Sequence, residues 1–351
     1  MQKNFNEVTI SGIACISSKK ISVDPGTNDK EGLIRVMFFI ILSAQKLFGD
    51  KNIQEKDEKM AEKKYVGSIE AGGTKFIVAV QDVETGKEVA RDRIPTTTNK
   101  ETLQKTADFF KKHPVDALGI GTFGPIDINP KSRTYGYILD TPKPGWSGTN
   151  VKGFFEKELG IPVAMTTDVN ASCYGEYVAR GRDDSKSYFY ATVGTGVGAG
   201  IVQAGKLLGL NNHPEMGHML VRRYPGDDYK GHCPFHNDAC VEGMAAGPSL
   251  EGRTGIPGEK LSRDNKVFTY SAYYIAQMLF NVYMTARPDV MVVGGSVLNE
   301  DDLVKVRKFF NEFNNNYVAT PDLNKLIVRP AVANNGSATL GDFELAKNLL
   351  K

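Results

Sequence analysis

Cys233, His236 and Cys240 form a Cys-x2-His-x3-Cys clip, and three further histidines, His213, His218 and His232, lie close by in the chain. Two thiolates and an imidazole at that spacing are three corners of a tetrahedral zinc set, and any of the three neighbouring histidines would supply the fourth. The plain alternative is two reduced cysteines among scattered histidines. A second concentration of chemistry is glycine. Ala191-Thr192-Val193-Gly194-Thr195-Gly196-Val197-Gly198-Ala199-Gly200 follows a strand-like run, Tyr188 to Val193, and leads into Ile201-Val202-Gln203 and a turn at Ala204-Gly205-Lys206. A hairpin tip without bulky side chains lets backbone N–H groups approach an anion closely. Ser68-Ile69-Glu70-Ala71-Gly72-Gly73-Thr74-Lys75 begins a second copy of the same layout, strand, Gly-Gly-Thr turn, strand. Two phosphate-sized turns so far apart suggest two half-domains facing one polyphosphate, with Lys75 either on a phosphate or solvated. A third feature is Asp168, between a strand-like run, Pro162 to Thr166, and a helical one from Ala171. A carboxylate there could accept a hydroxyl proton during phosphoryl transfer, or simply cap the helix; Asn170 could orient a sugar or be the cap itself.

The totals exclude several classes of function. The chain has 351 residues, enough for two ordinary domains, and 43 basic against 41 acidic residues leave a net charge of +2. That balance argues against nucleic acid as a partner. Four cysteines are too few for a disulfide scaffold and suit a reducing, cytoplasmic setting. The longest apolar run, Val36 to Leu42, is far shorter than the roughly twenty residues a membrane span needs, so no membrane is expected as a partner.

The framework around these groups reads as alternating strands and helices. Residues 1–59 share no pattern with the rest of the chain and end in a charged run, Lys51 to Lys59, before Met60. Met60 is read as the natural start, with 1–59 a non-native or disordered extension. Tyr65–Glu70, Lys75–Gln81 and Glu88–Ile94 read as antiparallel strands, 101–112 as a helix, Ala117–Gly121 as a buried strand, Val151–Leu159 as a helix ending at Gly160, and 171–180 as another helix. The second half repeats the order, interrupted by an insertion at 209–258. It continues with an amphipathic helix 268–286, a strand Pro288–Val293, a helix 301–314, a strand Leu326–Pro330 and a last helix from Ala338. The domains expected are 60–181, 182–337 and a C-terminal helix, 338–351, packing back on the first. Duplicated βββαβα units imply an α/β architecture with mixed sheets flanked by helices.

In order and spacing, Glu70 to Lys75, Thr122-Phe123-Gly124-Pro125-Ile126-Asp127, Asp168-Val169-Asn170-Ala171, Thr192 to Gly198, His213-Pro214-Glu215-Met216-Gly217-His218, the cysteine cluster and Gly294-Gly295-Ser296 resemble the ROK family of sugar kinases, and within it the zinc-containing bacterial fructokinases. The resemblance covers about residues 65–350. It implies the actin/hexokinase-like (ribonuclease H-like) two-domain ATPase fold and an ATP- and Mg²⁺-dependent phosphorylation of a hexose at its 6-hydroxyl, D-fructose first, with mannose or glucose as rivals. It makes Asp168 the catalytic base. Gly72, Gly73, Thr74 and Lys75, with Thr192, Gly194, Thr195 and Gly196, become the two phosphate turns, and Gly294, Gly295 and Ser296 lie beside the adenosine. Gly124, Pro125, Asp127, Asn170, Glu215, His218 and Glu242 are implied at the sugar, with Asn150 a weaker candidate. His218, Cys233, His236 and Cys240 are implied as ligands of a structural Zn²⁺, and the protein as a homodimer. The family usually places Asp where Glu70 stands, so Glu70 reaches Mg²⁺ either directly or through water. Trp146 reads as a loop anchor in the core. The family also includes sugar-responsive repressors with an N-terminal helix-turn-helix; residues 1–59 show no such helix pair.

Overall fold

β1 (Tyr65–Ala71) is buried along nearly its whole length, as a strand is when both faces of its sheet are covered. It pairs antiparallel with β2 (Lys75–Asp82), and β2 with β3 (Glu88–Pro95), whose mostly exposed, charged residues suit an edge. α1 (Asn99–Lys112) begins where the Thr98 hydroxyl accepts from the Glu101 N–H, and it leads to β4 (Ala117–Thr122), parallel to β1. α2 (Val151–Leu159) is stopped by Gly160 in the left-handed region, φ 68°. β5 (Val163–Thr167) then runs parallel to β4, and α3 (Asp168–Ala179) closes the first half. The structure is a computed structural model and describes residues 64–209 and 211–351. The apolar run, the charged run, Cys15 and the Met60 start lie outside the described residues.

The second half repeats the pattern. β6 (Ser187–Val193), β7 (Val197–Gln203) and the short β8 (Lys206–Leu207) form an antiparallel meander. The insertion carries α4 (Val241–Ala245) and α5 (Gly247–Thr254), and α6 (Lys266–Ala286) follows it. Then come β9 (Val290–Gly294), α7 (Glu300–Asn314), α8 (Leu323–Leu326), β10 (Ile327–Val328) and α9 (Ser337–Asn348). The strand orders are β3-β2-β1-β4-β5 and β8-β7-β6-β9-β10, one order used twice, as the repeated element pattern requires.

Three local readings change. The glycine stretch is not one long tip: only Gly194 to Gly196 turn, and β7 pairs with β6 from Val197 onward. Gly198 and Gly200 are strand residues that let a helix approach. A Cβ at Gly198 would stand 2.8 Å from Val169, and one at Gly200 2.7 Å from Asn170, both on α3. The strand expected at 326–330 is only two residues long, because Asp322 caps a helical turn just before it. α6 is buried on most of its circumference rather than along one stripe, since α4 and α7 both pack on it.

α3 joins the two halves. One side meets β4, where Ala171 lies against Gly121; the other meets β6 and β7, where Cys173 and Tyr177 pack with Tyr188, Tyr190 and Val202. α9 lies beside α3 and across β1 and β4, with Phe343 and Ala346 packed on Val66, Ala79 and Ala117. Buried Glu176 of α3 accepts from Ala331 N–H, Val332 N–H and the Ser337 hydroxyl, tying the entry of α9 to α3. Among the described residues no helix is long and apolar enough to cross a membrane.

Candidate active site

The N-terminus of α3 is the floor of the site. Thr167 is its cap, accepting from the Asn170 N–H at 3.2 Å, so neither Asp168 nor Asn170 has that duty. Asp168 begins the helix, with Oδ1 accepting from the Val169 N–H at 2.9 Å. Burial raises its pKa to about 6, against the pull of nearby backbone N–H groups; Glu215 pushes the same way and His213 opposes. Burial also raises Glu70, at the end of β1, to about 7, helped by Asp168 and opposed by Lys75 and Arg91. A third carboxyl, Asp342 of α9, is wholly buried and held well above the ordinary carboxylate range by desolvation and then by Glu70; the Ser68 hydroxyl donates to it at 3.1 Å.

The two glycine turns flank this floor. In the first, Gly72 N–H donates to Lys75 C=O, Thr96 donates to the carbonyls of Gly72 and Thr74, and Lys143 Nζ donates to Gly73 C=O. In the second, Gly194 N–H donates to Gly196 C=O, and Gly247 N–H donates to Gly194 C=O at 2.7 Å. The carbonyls are thus drawn into the protein. Among the described residues the N–H groups of Gly73, Thr74, Thr195 and Gly196 meet no acceptor, which suits an anion. Gly194 and Thr195 line a cavity of about 370 Å³ together with Ser296, Val297, Gly247 and Pro248, a size that holds a nucleoside. Gly295, φ +83°, makes the turn after β9 that delivers Ser296 there. A larger cavity of about 540 Å³, between β3 and α1 at the sheet edge, contains none of these groups.

His218, Cys233, His236 and Cys240 bring one ligand atom each to within 4.8 Å of one another. The sulfur of Cys233 is 3.7 Å from His218 Nδ1 and 3.6 Å from His236 Nδ1, and that of Cys240 is 3.9 Å from His218 Nδ1. Zinc–ligand bonds at tetrahedral angles place sulfur and nitrogen about 3.6 Å apart, so the spacing fits. His213 and His232 are not in the cluster.

A model of the ROK family matches residues 66–349. The chain belongs to the ROK family. It is 48% identical over 292 residues to a fructokinase of Streptococcus mutans, covering 82% of this chain and 98% of that one. It is 46% identical over 288 residues to a fructokinase of Lactococcus lactis, covering 81% and 98%. The crystal structure of a ROK hexokinase from Thermus thermophilus, 24% identical, superposes with a TM-score of 0.67 over 82% of this chain and 99% of that one, and so shares its fold.

Within this ROK chain the expected sugar residues divide. Glu215 and His213 lie close enough to Asp168 to act on its charge, and His218 keeps Nε2 free if Nδ1 faces a metal. Gly124 lies against His213. Glu242 Oε2 accepts from the Val197 N–H at 3.0 Å, so one of its oxygens braces the second glycine turn. Three others have different work. Asn170 is 1% exposed, buried between α3 and β7, and its Nδ2 donates to Thr166 Oγ1. Asp127 spends its oxygens on Asn129 N–H and the Thr134 hydroxyl of its own loop. Asn150 caps α2, accepting from the Gly153 N–H. Trp146 is fully buried against Phe76 and Phe123, its indole N–H on Thr97 C=O, an anchor as expected. Sequence reasoning missed Asp342 and Lys143, and considered His213 only as a zinc ligand. Asp342 gives no signal, being one of two acids, with Glu344, in a last helix far in sequence from the first strand.

Proposed function

We propose that this ROK protein is an ATP-dependent fructokinase that transfers the γ-phosphoryl group of ATP to the 6-hydroxyl of D-fructose. One observation carries the mechanism: Asp168 stands at the start of a helix, flanked by two glycine turns with free N–H groups. The relatives' names, fructokinase at 48% and 46% identity, favour fructose. As the sugar oxygen attacks the γ-phosphorus, its proton passes to Asp168, the bond from phosphorus to the bridging oxygen breaks, and ADP leaves. With its pKa near 6, Asp168 is ionised at neutral pH and basic enough to take that proton. Gly73 and Thr74 on one side, and Thr195 and Gly196 on the other, hold the phosphates, with Lys75 beside the first turn. The cavity at Ser296 takes the nucleoside. Glu215, His218 and Glu242 take the sugar hydroxyls.

Mg²⁺ would neutralise charge on the phosphates, and Glu70, half-buried at the end of β1, would hold it or its water once ionised. Zn²⁺ on His218, Cys233, His236 and Cys240 would have a full ligand set and no open position, which makes it structural, fixing the loop that carries Glu215. A cytoplasmic homodimer completes the reading. The test is ADP release with D-fructose, D-mannose and D-glucose in parallel, for the wild type and Asp168→Ala. Fructose-dependent turnover reduced by about 10²–10⁴ in the variant is expected. Equal turnover with glucose would move the assignment to a broad hexokinase, and no sugar-dependent turnover would reject it.

A further inference from the structure

The His213 side chain touches both the loop after β4 and the insertion. Its ring is 8% exposed. Nε2 accepts from the Ile126 N–H at 3.2 Å, on the loop that follows β4 in the first half. Its Cε1 lies beside Gly124 of the same loop, 3.7 Å from where a Cβ would stand. On its other side Nδ1 lies 3.1 Å from Glu215 Oε1, on the insertion of the second half, yet it is buried without an aligned hydrogen-bond partner. The Ile126 contact fixes the tautomer. Nε2 must keep its lone pair to accept, so Nδ1 carries the proton and points a donor at the Glu215 carboxylate. Glu215 is 57% exposed, so it is free to turn. A small rotation of its carboxylate would complete the bond that the buried donor lacks.

We propose that His213 is the positioning residue of the sugar site, a clasp that registers the insertion against the loop after β4 and orients the Glu215 carboxylate. The inference rests on the reading of Glu215 as a sugar ligand. It explains why an imidazole is required at a place where the zinc set does not use it: the position needs an acceptor on one side and a donor on the other, in a flat ring that fits beside Gly124. A carboxylate with one oxygen held by His213 presents the other to a hydroxyl in a single orientation. Without the clasp, Glu215 samples several orientations and the sugar must order it on binding.

The test uses full-length protein and three variants, His213→Phe, His213→Gln and Glu215→Gln, with steady-state constants for D-fructose and for ATP. Phe keeps the ring volume and removes both polar contacts. Gln keeps an acceptor and a donor. We expect His213→Phe to raise the fructose KM at least tenfold, with the ATP KM changed less than twofold and the thermal midpoint within a few degrees of wild type. His213→Gln should recover most of the loss. In the Glu215→Gln background, where Nδ1–H meets only a neutral and weaker acceptor, His213→Phe should add less than it does in the wild type. An unchanged fructose KM in His213→Phe would overturn the inference, as would equal losses on both substrates with no recovery by Gln, which would mark a structural role. An unchanged fructose KM in Glu215→Gln is a different failure: it would remove Glu215 from the sugar site, and with it the reading on which the clasp rests.

Discussion

Three carboxyls share one small volume without sharing one role. Burial is the first cause of the raised pKa in each case; Asp168 adds to the shift of Glu70, and Glu70 and Asp168 add to that of Asp342, the one of the three with no exposed surface. If Asp168 is the base, kcat/KM rises with pH through about 6 and then levels, because only the ionised carboxylate accepts a proton. Asp168→Asn, which keeps size and removes basicity, should lower kcat by about 10²–10⁴ and abolish that limb, as a pH–rate profile would show. Glu70, near 7, is protonated over more of the same range, so the Mg²⁺ requirement should steepen below neutrality. Asp342 bears on stability. Its folded pKa lies above its unfolded one, so between the two values the unfolded chain has released a proton that the folded one keeps, and stability falls as pH rises from the ordinary carboxylate range. Asp342→Asn removes that cost while offering Ser68 a carbonyl. Its thermal midpoint should match wild type near pH 4 and exceed it near pH 8; a midpoint below wild type at both would refute a neutral Asp342. Asp168 and the glycine turns are legible in the sequence because each is a local cluster at a strand end. Asp342 is not, since only the fold brings the last helix to the first strand.

The insertion shows the same limit at the level of elements. The Cys-x2-His-x3-Cys spacing is legible because ligands so close must share a centre, but the choice among His213, His218 and His232 depends on where a short 3₁₀ turn, Met216–His218, aims a ring. The helical turn before β10 and the true length of the glycine turn were equally hidden: one depends on a single Asp322 cap, the other on a helix packing against β7. The cluster predicts a separable effect. Cys240 is also the cap of α4, accepting from the Gly243 N–H, and α4 carries Glu242 onto the second glycine turn. Loss of the metal by chelation, or Cys240→Ala, should therefore loosen both the Glu215 loop and Glu242. The fructose KM should rise roughly tenfold or more, about 1.4 kcal/mol for each factor of ten, with a smaller change for ATP. Metal analysis should return one zinc per chain in the wild type and none in the variant. Unaltered kinetics in a metal-free protein would dismiss the staple.

Across the whole molecule, the two sheets use one strand order, and α3 is the joint between them. That repeat was legible, because each half announces itself with the same meander. The joint was not, because it depends on absent side chains. Gly198 and Gly200 on β7 admit Val169 and Asn170 of α3, and the same helix begins at Asp168. The distance between Asp168 and the second glycine turn is therefore set by how closely α3 sits on β7. A methyl group at Gly200 meets Asn170 Oδ1 at 2.7 Å and the Val169 carbonyl at 3.0 Å; the latter is backbone, so the helix itself must move. Gly200→Ala should cost about 1–3 kcal/mol in stability, as overpacking does. It should also lower kcat by roughly 10²-fold, the penalty for misplacing a reacting group by about 1 Å. The limb near pH 6 should stay where it is, since the surroundings of Asp168 keep their charges. A loss of stability with kcat intact would show that α3 can shift without moving the base off its target. A loss of kcat together with a displaced pH limb would assign the effect to the electrostatics of Asp168 and not to its position.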